Sequence, residues 1–149
     1  MIRVTVSDVA DELRRHRVIL VSKRDAWTQR TIARFYPPWA GFFTTIRWPW
    51  CAPRIYYPSW IGEPMDHPGV IDHELVHVRQ QLPWWAPWLL PLLAFGWARW
   101  ICERPAYLRD IDCGRHTPES AAEVLWLRYG QPRDCGVMIK WFEIHKGKQ

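Results

Sequence analysis

The chain has 149 residues, a length typical of one domain, and 48% of them are hydrophobic, which is sufficient for one packed core. Its net charge of +5 makes it mildly basic. Lysine and arginine are scattered and form no long basic run, so a nucleic acid is not expected as the main partner. The four cysteines have no CxxC spacing and the N-terminus has no apolar signal segment, so we expect free thiols and a cytoplasmic location.

The first part of the chain, residues 1–41, is predicted to contain two strands and two helices. Alternating β-branched residues predict a strand at 2–6, and Ser7 can cap a short helix that ends at Arg15. A second strand is predicted at 17–23. A helix is predicted at 26–35, where apolar side chains recur at helical spacing.

The middle part, residues 42–110, is predicted to be the core of the fold. Aromatic and β-branched residues predict strands at 42–48 and 53–58. Glycine and proline then predict a loop at 59–69. A helix is expected to follow at 70–82, because a proline stands directly after it.

The last part, residues 111–149, is predicted to hold one clear helix. Thr117 is a suitable N-cap, Pro118 suits the first helical position, and Gly130 follows the last turn. A strand is predicted at 137–144. Together the elements predict a single α+β domain with a short mixed or antiparallel sheet.

The sequence HELVH at residues 73–77 is the feature that points to chemistry. On a helix, residues four apart share a face, so a ring nitrogen of His73 and one of His77 can reach a single metal ion. Glu74 is rotated away from that face. It would act as a general base for a water molecule and would not be a ligand. The spacing therefore predicts a zinc site with hydrolytic potential.

The surroundings of the two histidines favour a bound metal over a solvated helix face. Buried imidazoles are costly unless they are hydrogen-bonded or metal-bound. The apolar residues predicted to pack around these histidines are Val70, Ile71, Leu75, Val76, Val78 and Leu82.

A catalytic zinc ion usually has three protein ligands and one open position. A third histidine six residues after His77 would be at position 83, which is a proline, so the metzincin arrangement is excluded. A carboxylate from a downstream helix is the alternative, and Glu103 is the first candidate. Four acidic residues are its rivals, and they are Asp110, Asp112, Glu119 and Glu123.

HELVH followed by the ERPAY stretch at 103–107 resembles the gluzincin branch of the zincin metallopeptidases, especially small single-domain zincin-like proteins of bacteria and phages. The resemblance covers roughly residues 42–108. It implies a zinc site with His73 and His77 as ligands, Glu103 as third ligand and Glu74 as general base. It also implies that an edge strand within 42–48 or 53–57 pairs with an extended peptide substrate.

Two positions depart from the gluzincin pattern. Pro105 is two residues after Glu103, so we expect either that a helix starts at Arg104 or Pro105, or that the helix is kinked there. Tyr107 occupies the place of an acidic residue that orients a histidine in thermolysin-like members. Tyr107 could support the ligands or donate to a developing oxyanion, and Asp110 could take over the orienting role. His116 is a further candidate donor.

Residues 84–102 are apolar apart from Arg99 and are rich in tryptophan. Nineteen helical residues cover about 28 Å, so a membrane span here would separate His77 from Glu103 and exclude the zinc site. Pro87 and Pro91 allow a loop and then a helix, so membrane association is not favoured. An exposed tryptophan-rich surface could instead bind an assembly partner, for example in a phage particle. The alternatives to a peptidase are therefore a non-catalytic assembly protein and a membrane-anchored protein.

Overall fold

The computed structural model describes residues 3–24, 41, 43–47, 50–81, 96–129 and 134–148. These residues form α-helices and a small mixed sheet, so the α+β fold class is confirmed. The chain divides into two compact units. The N-terminal unit comprises Val4–Pro87, and the C-terminal unit comprises Trp88–Gln149 with Met1–Arg3.

The N-terminal unit begins with helix α1 (Val6–Arg15), whose N-cap is Thr5. Thr5 and Asp8 form a capping box. The Asp8 backbone N–H donates to Thr5 Oγ1 at 3.2 Å, and the Thr5 N–H donates to Asp8 Oδ2 at 3.0 Å. The strand predicted at 2–6 is therefore wrong over its described residues, because this local capping outweighs their β propensity. The predicted helix end at Arg15 is confirmed.

A three-stranded sheet follows, with strands β1 (Ile19–Ser22), β2 (Thr44–Ile46) and β3 (Arg54–Tyr57). The order is β1-β3-β2, with β3 parallel to β1 and antiparallel to β2. All three strands coincide with predicted ones. Ile55 and Tyr56 of β3 are both buried, as expected for a central strand. The helix predicted at 26–35 lies outside the described residues.

Helix α2 (Pro68–Gln80) carries the HELVH motif. It begins two residues before the predicted start, because proline is well suited to the first helical turn. A short 3-10 helix (Pro64–Asp66) lies within the predicted loop. The core of this unit joins one face of α1, the middle of β3 and one face of α2. Its fully buried or nearly buried members are Val9, Leu13, Ile55, Ile71, Leu75 and Val78.

Of the apolar residues predicted to pack around the histidines, three on α2 are fully buried and belong to this core: Ile71, Leu75 and Val78. Val70 is 41% exposed and does not belong to it. The helix buries an apolar stripe whose residues are three or four positions apart, as the helical repeat requires.

The C-terminal unit consists of helices α3 (Gly96–Asp112), α4 (Pro118–Tyr129) and α5 (Cys135–His145) among its described residues. Thr117 caps α4 as predicted, and its Oγ1 accepts from the Ser120 N–H at 3.2 Å. The strand predicted at 137–144 is wrong, because that stretch belongs to α5. Met138 and Phe142 are four positions apart and both fully buried, which is a helical pattern.

Helix α3 contains Pro105 in its interior. Glu103 therefore lies within the helix, and the expectation that a helix starts at Arg104 or Pro105 is wrong. Most of the apolar segment at 84–102 lies outside the described residues. Of its described tryptophans, Trp97 is 53% exposed and Trp100 is buried. Among the described helices, none combines the length and apolarity needed to cross a lipid bilayer.

Candidate metal centre

Helix α2 brings the two histidines of HELVH onto one face, as the spacing predicts. The ring centroids of His73 and His77 are 5.2 Å apart, and the rings are inclined by 70°. Both side chains are partly exposed. Two imidazoles at one helical turn, neither of them sealed in the core, are suited to binding one ion that a substrate can still approach.

His77 has a hydrogen-bond partner on its own helix. Its Nδ1 lies 3.0 Å from Oε1 of Gln80, three residues further along. An amide oxygen only accepts hydrogen bonds, so this contact places the proton on Nδ1, and a metal would then be bound through Nε2. Sequence reasoning missed Gln80, although its spacing from His77 on a helix would have allowed the prediction.

Glu74 is directed to β2 by a buried threonine. Thr45 Oγ1 donates to Glu74 Oε2 at 2.7 Å, and the same hydroxyl lies 3.2 Å from the carbonyl oxygen of Glu74. Glu74 is only 6% exposed. One carboxylate oxygen of Glu74 is therefore held by a residue of β2.

A lysine that sequence reasoning missed lies in the same unit as Glu74. Lys23 is fully buried, and its Nζ donates to Thr44 Oγ1 at 3.2 Å. Burial lowers the pKa of Lys23 to about 8, although the negative charge of Glu74 acts to raise it. Nothing in the strand pattern at 17–23 marks this residue, because its burial results from the packing of the sheet.

The strand order of the sheet shows which of the two predicted edge segments could pair with a peptide. Residues 53–57, one of the two predicted edge segments, form the middle strand β3, so that expectation is corrected. β2 lies at an edge of the described sheet. The side chain of Gln81 already bonds to this strand: its Oε1 accepts from the Arg47 N–H at 2.9 Å and its Nε2 donates to the Thr45 carbonyl at 3.2 Å. A peptide pairing with these two groups would have to displace Gln81.

The other predicted site residues belong to the C-terminal unit. Tyr107 is 7% exposed and packs in the core of this unit, with its ring edge-on to His116 at 5.6 Å between centroids. His116 Nδ1 is 3.0 Å from Ser120 Oγ. Asp110 is buried and accepts from Arg115 Nε at 3.0 Å. These contacts all lie within the C-terminal unit.

One group of potential metal ligands is present among the described residues. It consists of His73, His77 and Glu103, whose ligand atoms all lie within 4.8 Å of one another. Two imidazoles and one carboxylate make up the donor set of many catalytic zinc sites, so these side chains suit zinc. The rival carboxylates are not in the group, and two of them, Glu119 and Glu123, are exposed on α4.

Comparison of the chain with protein-family models, with curated proteins and with solved structures found no match. The resemblance to gluzincins therefore depends on the HELVH and ERPAY stretches alone.

Proposed function

We propose that the protein is a zinc-dependent metallopeptidase. The observation that supports this proposal is the group formed by His73, His77 and Glu103. Beside His73 the chain supplies a further carboxylate, Glu74, which is not a member of the group. The three residues would hold the zinc ion. When bound, zinc would polarise a peptide carbonyl and make a water molecule more acidic.

Glu74 would act as the general base and later as the general acid. Its Oε2 accepts a hydrogen bond from Thr45, so Oε1 is the atom that would take a proton from the attacking water. The same carboxyl would then deliver this proton to the amine that leaves when the peptide bond breaks. A base held by a buried hydroxyl needs little rearrangement during the reaction, which lowers the entropic part of the barrier.

A substitution of Glu74 tests this function directly. We expect Glu74→Gln to keep one zinc ion per chain and to lose at least about a hundredfold in the rate of cleavage of a quenched-fluorescence peptide library. Zinc would be counted by native mass spectrometry. Glu63→Gln is the matched control, since Glu63 is an exposed glutamate of the same unit, and it should cleave like the parent. Equal cleavage by the Glu74→Gln variant would refute the proposal.

A second function, partner binding without turnover, is favoured by two exposed indole groups. Trp50 is 97% exposed and Trp60 is 72% exposed, both in the N-terminal unit. Exposed tryptophans of this kind are typical of protein–protein contacts. A protein that binds zinc, cleaves no peptide in the library and enters a particle in fixed stoichiometry would have this second function, as predicted for a phage or bacterial assembly component.

A further inference from the structure

The edge of β2 is bound by a side chain from the end of α2. Gln81 is the C-cap of this helix, and its carboxamide contacts the backbone of β2 at two points. Oε1 accepts from the Arg47 N–H at 2.9 Å, and Nε2 donates to the Thr45 carbonyl at 3.2 Å. The carboxamide therefore makes with this strand the two kinds of hydrogen bond that a neighbouring strand would make.

The two backbone groups that Gln81 binds are on the side of β2 that β3 leaves open. β2 is the last strand in the order β1-β3-β2 and pairs with β3 over Thr44–Ile46. In an antiparallel ladder, the backbone groups of alternate residues point to the same side of the strand, so Thr45 and Arg47 share a side. Among the described residues, no further strand pairs there. Such an edge can accept the backbone of an added peptide.

The Gln81 side chain can leave this edge while α2 stays folded, because the main chain of Gln81 has attachments of its own. Its N–H donates to the His77 carbonyl at 3.1 Å, and its carbonyl accepts from Arg47 Nη1 at 2.9 Å. Gln81 is partly exposed, so the released carboxamide can bond to water. The loss of two neutral hydrogen bonds, net of those formed with water, corresponds to about tenfold to a hundredfold in affinity.

We propose that Gln81 is a built-in competitor at a peptide-binding edge of β2, and that an extended peptide binds there by replacing the Gln81 carboxamide. The partner is a peptide backbone because the edge offers one acceptor and one donor, which the amide of Gln81 already satisfies. Peptide affinity is then reduced by the fraction of molecules in which the edge is open. This inference rests on the proposed function only for its effect on cleavage.

The position of this edge agrees with a role in substrate binding. Thr45, whose carbonyl accepts from Gln81, also donates its hydroxyl group to Glu74 Oε2 at 2.7 Å. A peptide that replaces Gln81 would thus bind the same residue that contacts the proposed general base. Removal of the competitor should therefore lower KM as well as the dissociation constant of a peptide.

The test measures peptide binding by fluorescence anisotropy with the full-length chain, in the presence of a chelator so that the probe stays uncut. The probe is a dye-labelled, N-acetylated and C-amidated peptide of alternating valine and threonine. We expect Gln81→Ala to lower its Kd about tenfold to a hundredfold. Glu63→Ala is the matched control, because it shortens an exposed side chain of similar length in the same unit, and it should bind like the parent. The same peptide with all backbone amides methylated should not bind.

A second measurement uses the parent alone and so does not depend on the folding of Gln81→Ala. Solvent exchange of the Gln81 carboxamide protons, followed by NMR, should become faster when the peptide saturates the edge. Carboxamide protons that stay protected at saturation would overturn the inference. So would parental Kd in a folded Gln81→Ala variant, or no binding by either protein.

The outcomes also separate this inference from the proposed function. If the peptide replaces Gln81 but no peptide is cleaved by the parent, the proposed function fails and the competitor role of Gln81 stands. If the parent cleaves peptides, Glu74→Gln does not, and Gln81→Ala leaves both KM and Kd unchanged, the competitor role fails and the proposed function stands.

Discussion

Helices α2 and α3 both carry candidate zinc ligands, but the surroundings of those ligands differ. On α2, His77 is bonded to Gln80 of the same helix, and Glu74 is bonded to Thr45 of the sheet. On α3, Glu103 is followed two residues later by a proline inside the helix, and the neighbouring core is aromatic and aliphatic. The comparison indicates that the histidine pair is preorganised by short-range geometry, whereas the contribution of Glu103 depends on how the rest of the chain folds.

The largest expected effect is the loss of zinc affinity when a proposed ligand on α2 or α3 is removed. We expect His77→Ala to lower zinc affinity at least about a thousandfold and Glu103→Ala about a hundredfold, because each removes one of the three proposed ligands. Competition with a zinc-binding dye would measure both. Glu123→Ala, which changes an exposed glutamate of α4, is the control and should bind zinc like the parent. If the Glu103→Ala variant binds zinc with parental affinity, the third ligand must be another residue.

The second effect is the pH dependence of stability that results from the burial of Lys23. The pKa of Lys23 is about 8 in the folded chain and 10.5 when unperturbed, so between these values the unfolded chain binds more protons. Stability must therefore rise with pH in this window. We expect the zinc-free parent to gain on the order of 2 kcal/mol relative to Lys23→Met between pH 8 and 10.5. A difference between the two proteins that does not change with pH would contradict the burial of this charge.

The third effect concerns Pro105, the irregular feature of α3. Proline lacks an N–H and crowds the preceding turn, so Pro105→Ala should raise the free energy of unfolding by about 1–2 kcal/mol. Urea denaturation would measure it. Pro118→Ala is the matched control, because proline is well tolerated at the start of α4, and its change should be below about 0.5 kcal/mol.

The zinc affinity of the Pro105→Ala variant also tests whether the proline helps to direct Glu103. If the proline helps to direct Glu103, the more regular helix should bind zinc more weakly in spite of its greater stability. Unchanged zinc affinity would show that the proline has no part in directing the ligand.

A smaller effect is expected when Gln80, the hydrogen-bond partner of His77, is replaced. Gln80→Leu removes the acceptor that places the proton on Nδ1, and zinc affinity should fall about tenfold. Gln81→Leu provides the comparison, since it removes contacts with β2 and leaves His77 bonded to Gln80. That variant should lose stability and keep its zinc affinity. The reverse result would mean that β2, and not Gln80, orients the histidine.

The smallest effect belongs to the ion pair of Glu12 on α1 with Arg79 on α2, in which Oε2 of Glu12 and Nη2 of Arg79 are 3.0 Å apart. Burial acts to raise the pKa of Glu12, but hydrogen bonding and charge from Arg79, Arg15 and His16 outweigh it, so the pKa is lowered. Both partners are partly solvated, so Arg79→Met should cost only about 0.5 kcal/mol. Because the folded pKa is lowered, this difference should vanish as the pH falls through it. A cost that persists in acid would indicate lost packing of the arginine stem.

Secondary structure was predictable from the sequence where local signals agreed. Helix α4 has a capping threonine, a proline at its first position and apolar residues at helical spacing, and it was predicted correctly. The two wrong strands, at 2–6 and 137–144, have β-branched and apolar residues that suit either state. A capping box at Thr5 and an aspartate cap at Asp134 favour helices there, because they satisfy backbone N–H groups that a helix start would otherwise leave unpaired.

The sequence by itself determined the histidine pair and the position of Glu74 beside it, because the helical repeat relates residues four apart through consecutive backbone dihedrals. Only the tertiary structure placed Thr45 against Glu74, buried Lys23 beside the same strand and attached Gln81 to β2. These contacts join residues that are distant in the chain. They arise from the packing of the sheet and of α2 against it, and the spacing of a motif carries no information about such packing.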